Sequence, residues 1–383
     1  MRAQARRAHV SEAALIAAAE VAGANFARSG RFDALSLQQT IFEALAQQAD
    51  QIAELQQRLD ALTEDADPAT AAIFAAARAT LDEGRLADAD SLLAQVAERD
   101  LAAILAADAE VEHRRLRAGE TVASRGQVAF VRADYLAAAD HYGRAAETVP
   151  QAATEQRWQY RILQTDALYV RGELFAEPEA LREAVRLYRE SIFPLAPRSS
   201  APGRWGPTQN NLGLALKVLG ERGDSTALRG AVTAFRAALE VLTRTAAPAE
   251  WSSVQNNLGA ALLVLGQRGD DAALIGAEEA FRRALDVRTR DAAPADWAAT
   301  QNNLGIALKE RGERGDVAAL REATAAYRAA LQVRTRDAAP ADWAETQNNL
   351  GAALLVLGRR GDDAALIEAE EAFRRALDVR TRD

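Results

Sequence analysis

The sequence predicts an all-α solenoid, a right-handed superhelix of helix-turn-helix repeats, and three observations support this prediction. Hydrophobic residues make up 49% of the chain but aromatic residues only 5%, so Ala, Leu and Val carry the apolar content. Ala and Leu are among the best helix formers. The second half of the chain repeats with a fixed period, and the first half contains weaker copies. Each copy holds two amphipathic segments separated by a turn, which is typical of a helical hairpin.

The string Gln-Asn-Asn-Leu-Gly marks the period, because its four copies start 46 residues apart. A Trp, an aromatic residue of the second segment and an Arg-Gly-Asp triplet keep the same spacing. The copies that begin at Trp251 and Trp343 are nearly identical, which indicates duplication of a pair of repeats, 92 residues by doubling 46. The four strings start at Gln209, Gln255, Gln301 and Gln347.

Each unit is predicted to form two helices. In the last unit Asp342 is placed to cap a first helix over residues 343–357, in front of a glycine-containing turn. Asp362 or Asp363 then caps a second helix over about 364–380. A turn followed by a helix cap also explains the Arg-Gly-Asp triplets without an adhesion motif.

Weaker copies lie upstream of the regular repeats. One contains a small residue, then an Ala, an aromatic residue, a second Ala and a closing Pro, and two more degenerate copies fall at 84–96 and 158–188. This pattern resembles the tetratricopeptide repeat (TPR), and the longer turn of the 46-residue copies resembles kinesin light chain-like and bacterial signalling-associated TPR proteins. The first copy is marked by Gly126, Ala138, Tyr142, Ala145 and Pro150.

We expect three regions: an N-terminal helical segment at 1–67, degenerate repeats at 68–200, and four regular repeats at 201–383. The apolar residues from Ile41 to Leu62 follow heptad spacing, with Leu45, Ile52 and Leu59 in one seam position. This segment is either a coiled-coil helix that pairs two chains or a cap over the first repeat, which a solenoid needs. The sequence leaves both interpretations open.

Composition favours a protein without catalysis, metal or cofactor. The absence of Cys excludes disulfides, thiol nucleophiles and Cys-type zinc sites, and the three His residues are scattered. A net charge of −9 argues against a general nucleic-acid binder. No run approaches the ~20 apolar residues of a membrane span. Glu12 and Glu20 interrupt the only signal-peptide-like run, so we expect a cytoplasmic protein.

The candidate binding residues come from the first helix of each regular repeat. The TPR resemblance implies that the first helices line a concave groove, and positions four and three apart share one helical face. An Asn amide both donates and accepts hydrogen bonds, so a row of Asn side chains can hold an extended peptide backbone. The predicted ligand residues are Asn210, Asn256, Asn302 and Asn348, with Lys217 and Lys309 for acidic groups and Leu263 and Leu355 for apolar anchors.

The second Asn of each string is predicted to have a structural role, bonding to neighbouring backbone between repeats. The periodic Trp residues are predicted to pack in the core or as wedges between repeats. These Asn residues are Asn211, Asn257, Asn303 and Asn349.

These features predict a non-catalytic scaffold that binds a protein or an extended peptide. Two alternatives remain open. One is self-assembly, through residues 41–62 or through end-to-end stacking of repeats. The other is the sensor half of a larger bacterial signalling or protease protein, since the chain ends at Asp383 in register with the repeat.

Overall fold

A computed structural model describes the backbone of residues 11, 13–17, 34–104 and 111–380, and their side chains except at 34–46, 103–104 and 379–380. All regular secondary structure in these ranges is helical, as the sequence predicts. The chain forms two compact units, Met1–Ala196 and Pro197–Asp383. The finer division into three regions stays a prediction.

The first unit is a succession of helices in which each packs on the next. A single π-helical turn (Tyr188–Ile192) and a 3₁₀ turn (Phe193–Leu195) follow its last helix. The helices are α1 (Ala34–Glu64), α2 (Pro68–Asp82), α3 (Leu86–Ile104), α4 (Val111–Val131), α5 (Tyr135–Thr148), α6 (Thr154–Leu174) and α7 (Pro178–Leu187).

The described part of the heptad segment is buried within its own chain. Ile52, Leu55 and Leu59 of α1 are each 0% exposed and belong to one apolar core with side chains of α2, α3 and α4. The side chains of Ile41 and Leu45 lie outside the described residues. The cap interpretation predicts this packing, since the buried part of the seam offers no apolar surface to a second chain. Pairing between chains through residues 41–62 stays a prediction.

The degenerate copy that contains Gly126 is a helical hairpin, as the sequence predicts. A Cβ added at Gly126 of α4 would lie only 2.8 Å from Cδ1 of Tyr142 in α5, so the glycine lets the ring approach the helix backbone. Ala138 and Ala145 of α5 are fully buried in the same hairpin. Further downstream, α6 and α7 form the predicted copy at 158–188, with Leu181 fully buried.

The second unit contains four hairpins, called repeats one to four, and the contacts between them are called the first, second and third junctions. Within a repeat the first helix packs on the second, and successive first helices also contact each other across each junction. The helices are α8 (Pro202–Glu221), α9 (Ser225–Leu239), α10 (Pro248–Gln267), α11 (Asp271–Leu285), α12 (Pro294–Glu313), α13 (Val317–Ala330), α14 (Pro340–Arg359) and α15 (Asp363–Arg380).

The first helices start earlier than the sequence pattern predicts, and the capping role assigned to Asp342 is wrong. Helix α14 begins at Pro340, its N-cap is Ala339 without a side-chain cap bond, and Asp342 lies within the first turn. The reason is that proline suits the first helical position, where its missing N–H would have no helical partner and its φ is already helical. The proline therefore starts the helix instead of only ending the loop.

The Arg-Gly-Asp triplets form the predicted turn and cap. Gly361 has a φ of +101°, in the left-handed region that favours glycine. The Asp362 side chain then accepts a hydrogen bond from the Ala365 N–H at 3.2 Å, which assigns the cap to Asp362 and not to Asp363. The other three triplets have the same positive φ at glycine and the same Asp N-cap.

A glycine–aromatic contact closes each hairpin. A Cβ added at Gly259 of α10 would lie 2.7 Å from Cε1 of Phe281 in α11, so only glycine permits this approach. Repeats one, three and four make the equivalent contact. Trp343 is half-buried against Ala376 of α15, as the packing interpretation predicts. The conserved spacing of these residues within the chain thus reflects packing inside each repeat.

Candidate functional site

The predicted binding stripe lies on the four first helices, α8, α10, α12 and α14. Because successive first helices contact one another, their stripes form one continuous band across the repeats. The side chains of this band differ in exposure. Asn302 and Leu263 are buried, at 2% and 8% exposed, Asn348 is exposed, and Asn210, Asn256 and Leu355 are half-buried.

An amide ladder runs along this band. The second Asn of each repeat donates from Nδ2 to the Oδ1 of the first Asn in the preceding repeat. The three ladder bonds are Asn257 to Asn210 at 3.1 Å, Asn303 to Asn256 at 3.3 Å and Asn349 to Asn302 at 3.2 Å. The second Asn therefore bonds between repeats as predicted, but to a side chain and not to the backbone.

The ladder changes what the first Asn can offer a ligand. The carbonyl oxygens of Asn210, Asn256 and Asn302 are already used, so their free hydrogen-bonding capacity lies mainly in the amide N–H groups. Asn210 donates to Asn211 at 3.3 Å. Burial raises the pKa of the Glu345 carboxyl, and the nearby Asn302 side chain lowers it in part. Among the described residues no acceptor lies within hydrogen-bond distance of Asn256 Nδ2, so its amide N–H groups remain available.

The two lysines of the stripe already have acidic partners on their own helices. Lys217 Nζ lies 2.7 Å from Glu221 Oε1. Lys309 Nζ lies 2.9 Å from Glu313 and 3.6 Å from Glu310. Helical spacing of four explains both of the shorter pairs. Their charges are compensated within the chain, which weakens the predicted attraction for acidic groups.

Sequence reasoning missed two largely buried arginines, Arg288 and Arg334, beside the first helices. Arg334, after α13, donates from Nη1 to Thr346 Oγ1 at 3.0 Å and lies 3.9 Å from the carboxylates of Asp342 and Glu345. Arg288, after α11, occupies the equivalent position one repeat earlier and is 8% exposed. An alignment of the repeats would have revealed these arginines, because the same position is Leu242 in repeat one and arginine in repeats two and three.

The hydrogen-bond acceptors of the Arg288 guanidinium are hydroxyl groups. It donates to Thr300 Oγ1 at 3.1 Å, Ser253 Oγ at 2.9 Å and Ser252 Oγ at 3.4 Å. Burial lowers the pKa of its guanidinium, and the charge of Asp296 opposes that shift. The group nevertheless stays a cation, since arginine is protonated at any physiological pH.

A second set of arginines joins the repeats at the other end of the first helices. In repeats two to four the Arg of the Arg-Gly-Asp triplet reaches back to a carbonyl at the end of the preceding first helix, where helical carbonyls lack partners. Arg268 donates to the Gly220 carbonyl at 2.6 Å and Arg360 to the Glu313 carbonyl at 3.1 Å. Arg314 makes the same bond to Gly266. The Arg-Gly-Asp triplets therefore contribute hydrogen bonds between neighbouring repeats of the solenoid.

The part of the chain that the structure describes contains no cluster of three or more His, Cys, Asp or Glu residues arranged to hold a metal ion. Within the same residues, every helix is too short or too polar to span a bilayer. What the band can do chemically is form hydrogen bonds and ion pairs.

Comparisons with known proteins add structural likeness at low sequence identity. No family model matches the chain, and no curated protein matches it. Among solved structures, BtubC (BKLC) from P. vanneervenii is 19% identical with a TM-score of 0.45, covering 65% of this chain and 89% of its own. The apo form of RapI is 10% identical with a TM-score of 0.47, covering 96% of this chain and 97% of its own.

Proposed function

We propose that this chain is a non-catalytic scaffold that binds a protein partner through an extended segment lying along the first helices of repeats one to four. The observation that carries the proposal is the continuous band of amide and aliphatic side chains, which recurs at each repeat on helices that contact one another. Stacked repeats of this kind form extended binding surfaces from small units.

The band supports recognition of peptide backbone more than of particular side chains. Asn256 and Asn348 contribute amide groups. Leu355 and half-buried aliphatic residues of the band, such as Ala352, contribute apolar contacts. Asn210, Asn302, Lys217, Lys309 and Leu263 lie in the same band, but their burial or existing partners make their contribution smaller. The net charge of −9 favours a protein partner over nucleic acid.

Site-specific photocrosslinking tests the location of the partner. Benzoylphenylalanine is introduced in the full chain at Ala352, a half-buried position of the band on α14, or at Ala325, an exposed position on α13. The probe is a random pool of short fluorescent peptides. We expect labelling at Ala352 and background at Ala325. Equal labelling at the two positions would contradict binding along the first helices.

A substitution provides an independent check of the same surface. Asn348→Ala removes an exposed amide that serves no ladder bond among the described residues. We expect weaker peptide binding with unchanged thermal unfolding, whereas unchanged binding would remove Asn348 from the site.

A further inference from the structure

The buried guanidinium of Arg288 lacks a carboxylate partner. Its three partners are the neutral hydroxyls of Ser252, Ser253 and Thr300, and no carboxylate oxygen of the described residues lies within 4.0 Å of its nitrogens. Asp296 acts on it only from beyond that distance. A guanidinium has five N–H donors, and a buried cation without a close anion is costly. An anion is the missing complement at this position.

The next junction shows what fills the equivalent position. Arg334 corresponds to Arg288, and Glu345 of α14 lies against it with Oε2 3.9 Å from Nη1. Burial raises the pKa of the Glu345 carboxyl, and the Asn302 side chain lies close enough to lower it in part. A glutamate carboxylate therefore lies near both an arginine and the first Asn of the preceding repeat. This carboxylate faces outward, because the Glu345 side chain is 56% exposed while that of Arg334 is 12% exposed.

The second junction has the arginine and the asparagine but not the glutamate. The residue equivalent to Glu345 is Ala299, and those equivalent to Arg334 and Asn302 are Arg288 and Asn256. Alanine ends at Cβ, so it leaves open the position that the carboxylate takes one repeat later. Asn256 accepts from Asn303 Nδ2 through its Oδ1 at 3.3 Å, so its own Nδ2 group remains for another acceptor.

We propose that Arg288 and Asn256 form a receptor for the carboxylate of a Glu or Asp side chain supplied by the bound peptide. The proposal rests on the proposed function and adds one specificity to it: an acidic residue at a fixed place in the partner. Thr300 accepts from Arg288 and orients it. Arg–carboxylate pairs are charge-assisted and directional, so this contact selects a side chain while the amides hold backbone.

The first junction provides a natural negative control. There the arginine position is Leu242 and the glutamate position is Ser253, so neither half of the pair is present. The three junctions thus show the site absent, open and internally filled. The first junction lacks the arginine and the third adds the glutamate, so residues that the chain already uses at these positions supply matched variants.

The experiment uses the full chain and peptides selected from a random displayed library. For the best binder, each acidic residue is replaced by its amide, and binding is measured by fluorescence anisotropy. Wild-type protein is compared with Arg288→Leu, which copies Leu242, and with Ala299→Glu, which copies Glu345. Thermal unfolding of each variant checks that the repeats remain folded.

We expect one acidic residue to be enriched at a fixed position, and its amide replacement to weaken wild-type binding by about 10-fold to 100-fold. Both variants should bind the acidic and the amide peptide equally, because the receptor is absent in one and filled in the other. Glu345→Ala should create a second acidic preference. Selected peptides that bind without any acidic preference would overturn this inference but leave the proposed function intact. A wild-type chain that selects no peptide would overturn both.

Discussion

The second junction of the regular repeats differs from the first and third by a charge cluster at positions that are otherwise apolar or neutral. Glu278 of α11 pairs with Arg282 at 2.9 Å and with Arg311 of α12, and Arg311 also reaches Asp316 at 2.7 Å. The positions of Glu278 and Arg311 are Val232 and Leu265 at the first junction, and Thr324 and Leu357 at the third.

The same backbone arrangement therefore accepts either an ion pair or uncharged residues at these two positions. An ion pair that is largely removed from water adds little net stability relative to apolar residues of similar size, but either charge left alone is costly. Repeats two and four are nearly identical in sequence, and both carry a glutamate at this position, Glu278 and Glu370. Among the regular repeats only repeat three has the matching arginine, Arg311, so the charge cluster favours its stacking on one of these two repeats and not on repeat one.

The largest effect is expected from breaking this pair. Glu278→Val should lower the free energy of local opening in α11 and α12 by about 2 kcal/mol, because Arg311 loses its cross-junction carboxylate. Native-state hydrogen exchange of the amides in these two helices measures this change.

The double variant Glu278→Val with Arg311→Leu is the matched control, since it copies the first junction. Its opening free energy should return to within about 1 kcal/mol of the wild type. A double variant as unstable as the single one would show that the two solutions are not interchangeable.

A smaller difference is expected between the ladder bonds of the third and first junctions. Asn349→Ala removes the donor to Asn302, whose side chain is 2% exposed, and should cost about 1–2 kcal/mol because a buried acceptor is left unpaired. Asn257→Ala removes the donor to the half-buried Asn210 and should cost less than about 1 kcal/mol, because water can replace it. Hydrogen exchange in α14 and in α10 reports the two costs; equal costs would contradict the burial argument.

The smallest effect concerns acid stability of the second junction. Hydrogen bonding from the Ala319 N–H, aided by Arg311, holds the pKa of Asp316 below its ordinary value of 3.8. The ionised carboxylate therefore stabilises the folded state above pH 3.8, and this stabilisation is lost as the pH falls through the lowered pKa.

We accordingly expect faster amide exchange at the start of α13 only below about pH 4, after correction for intrinsic rates. Asp316→Asn should lose this acid sensitivity, since its amide does not titrate. The same acid response in this variant would assign the effect to another carboxyl group.

Much of the fold could be predicted from sequence because its determinants are local. The glycine of the Arg-Gly-Asp turn, the Asp cap that follows it and the apolar face of the second helix act within one hairpin. The wrong prediction for Asp342 had a local cause too, since Pro340 can occupy the first helical position and the helix therefore starts two residues before Asp342. Spacing predicts that the stripe residues lie on the first helices, which form as predicted, but the exposure and partners of these side chains were not accessible from spacing.

What the sequence by itself determined is therefore the repeated hairpin: helices, turns and the glycine–aromatic contact recur because their residues lie close together along the chain and keep a 46-residue period. Only the tertiary structure decided which polar atoms remain for a partner. Asn302 is buried, its Oδ1 accepts from Asn349 of the next repeat, and Arg288 lacks a carboxylate. The physical reason is that Asn349 and the Thr300 partner of Arg288 come from a neighbouring repeat, so a single unit read alone cannot show which groups stacking leaves unsatisfied.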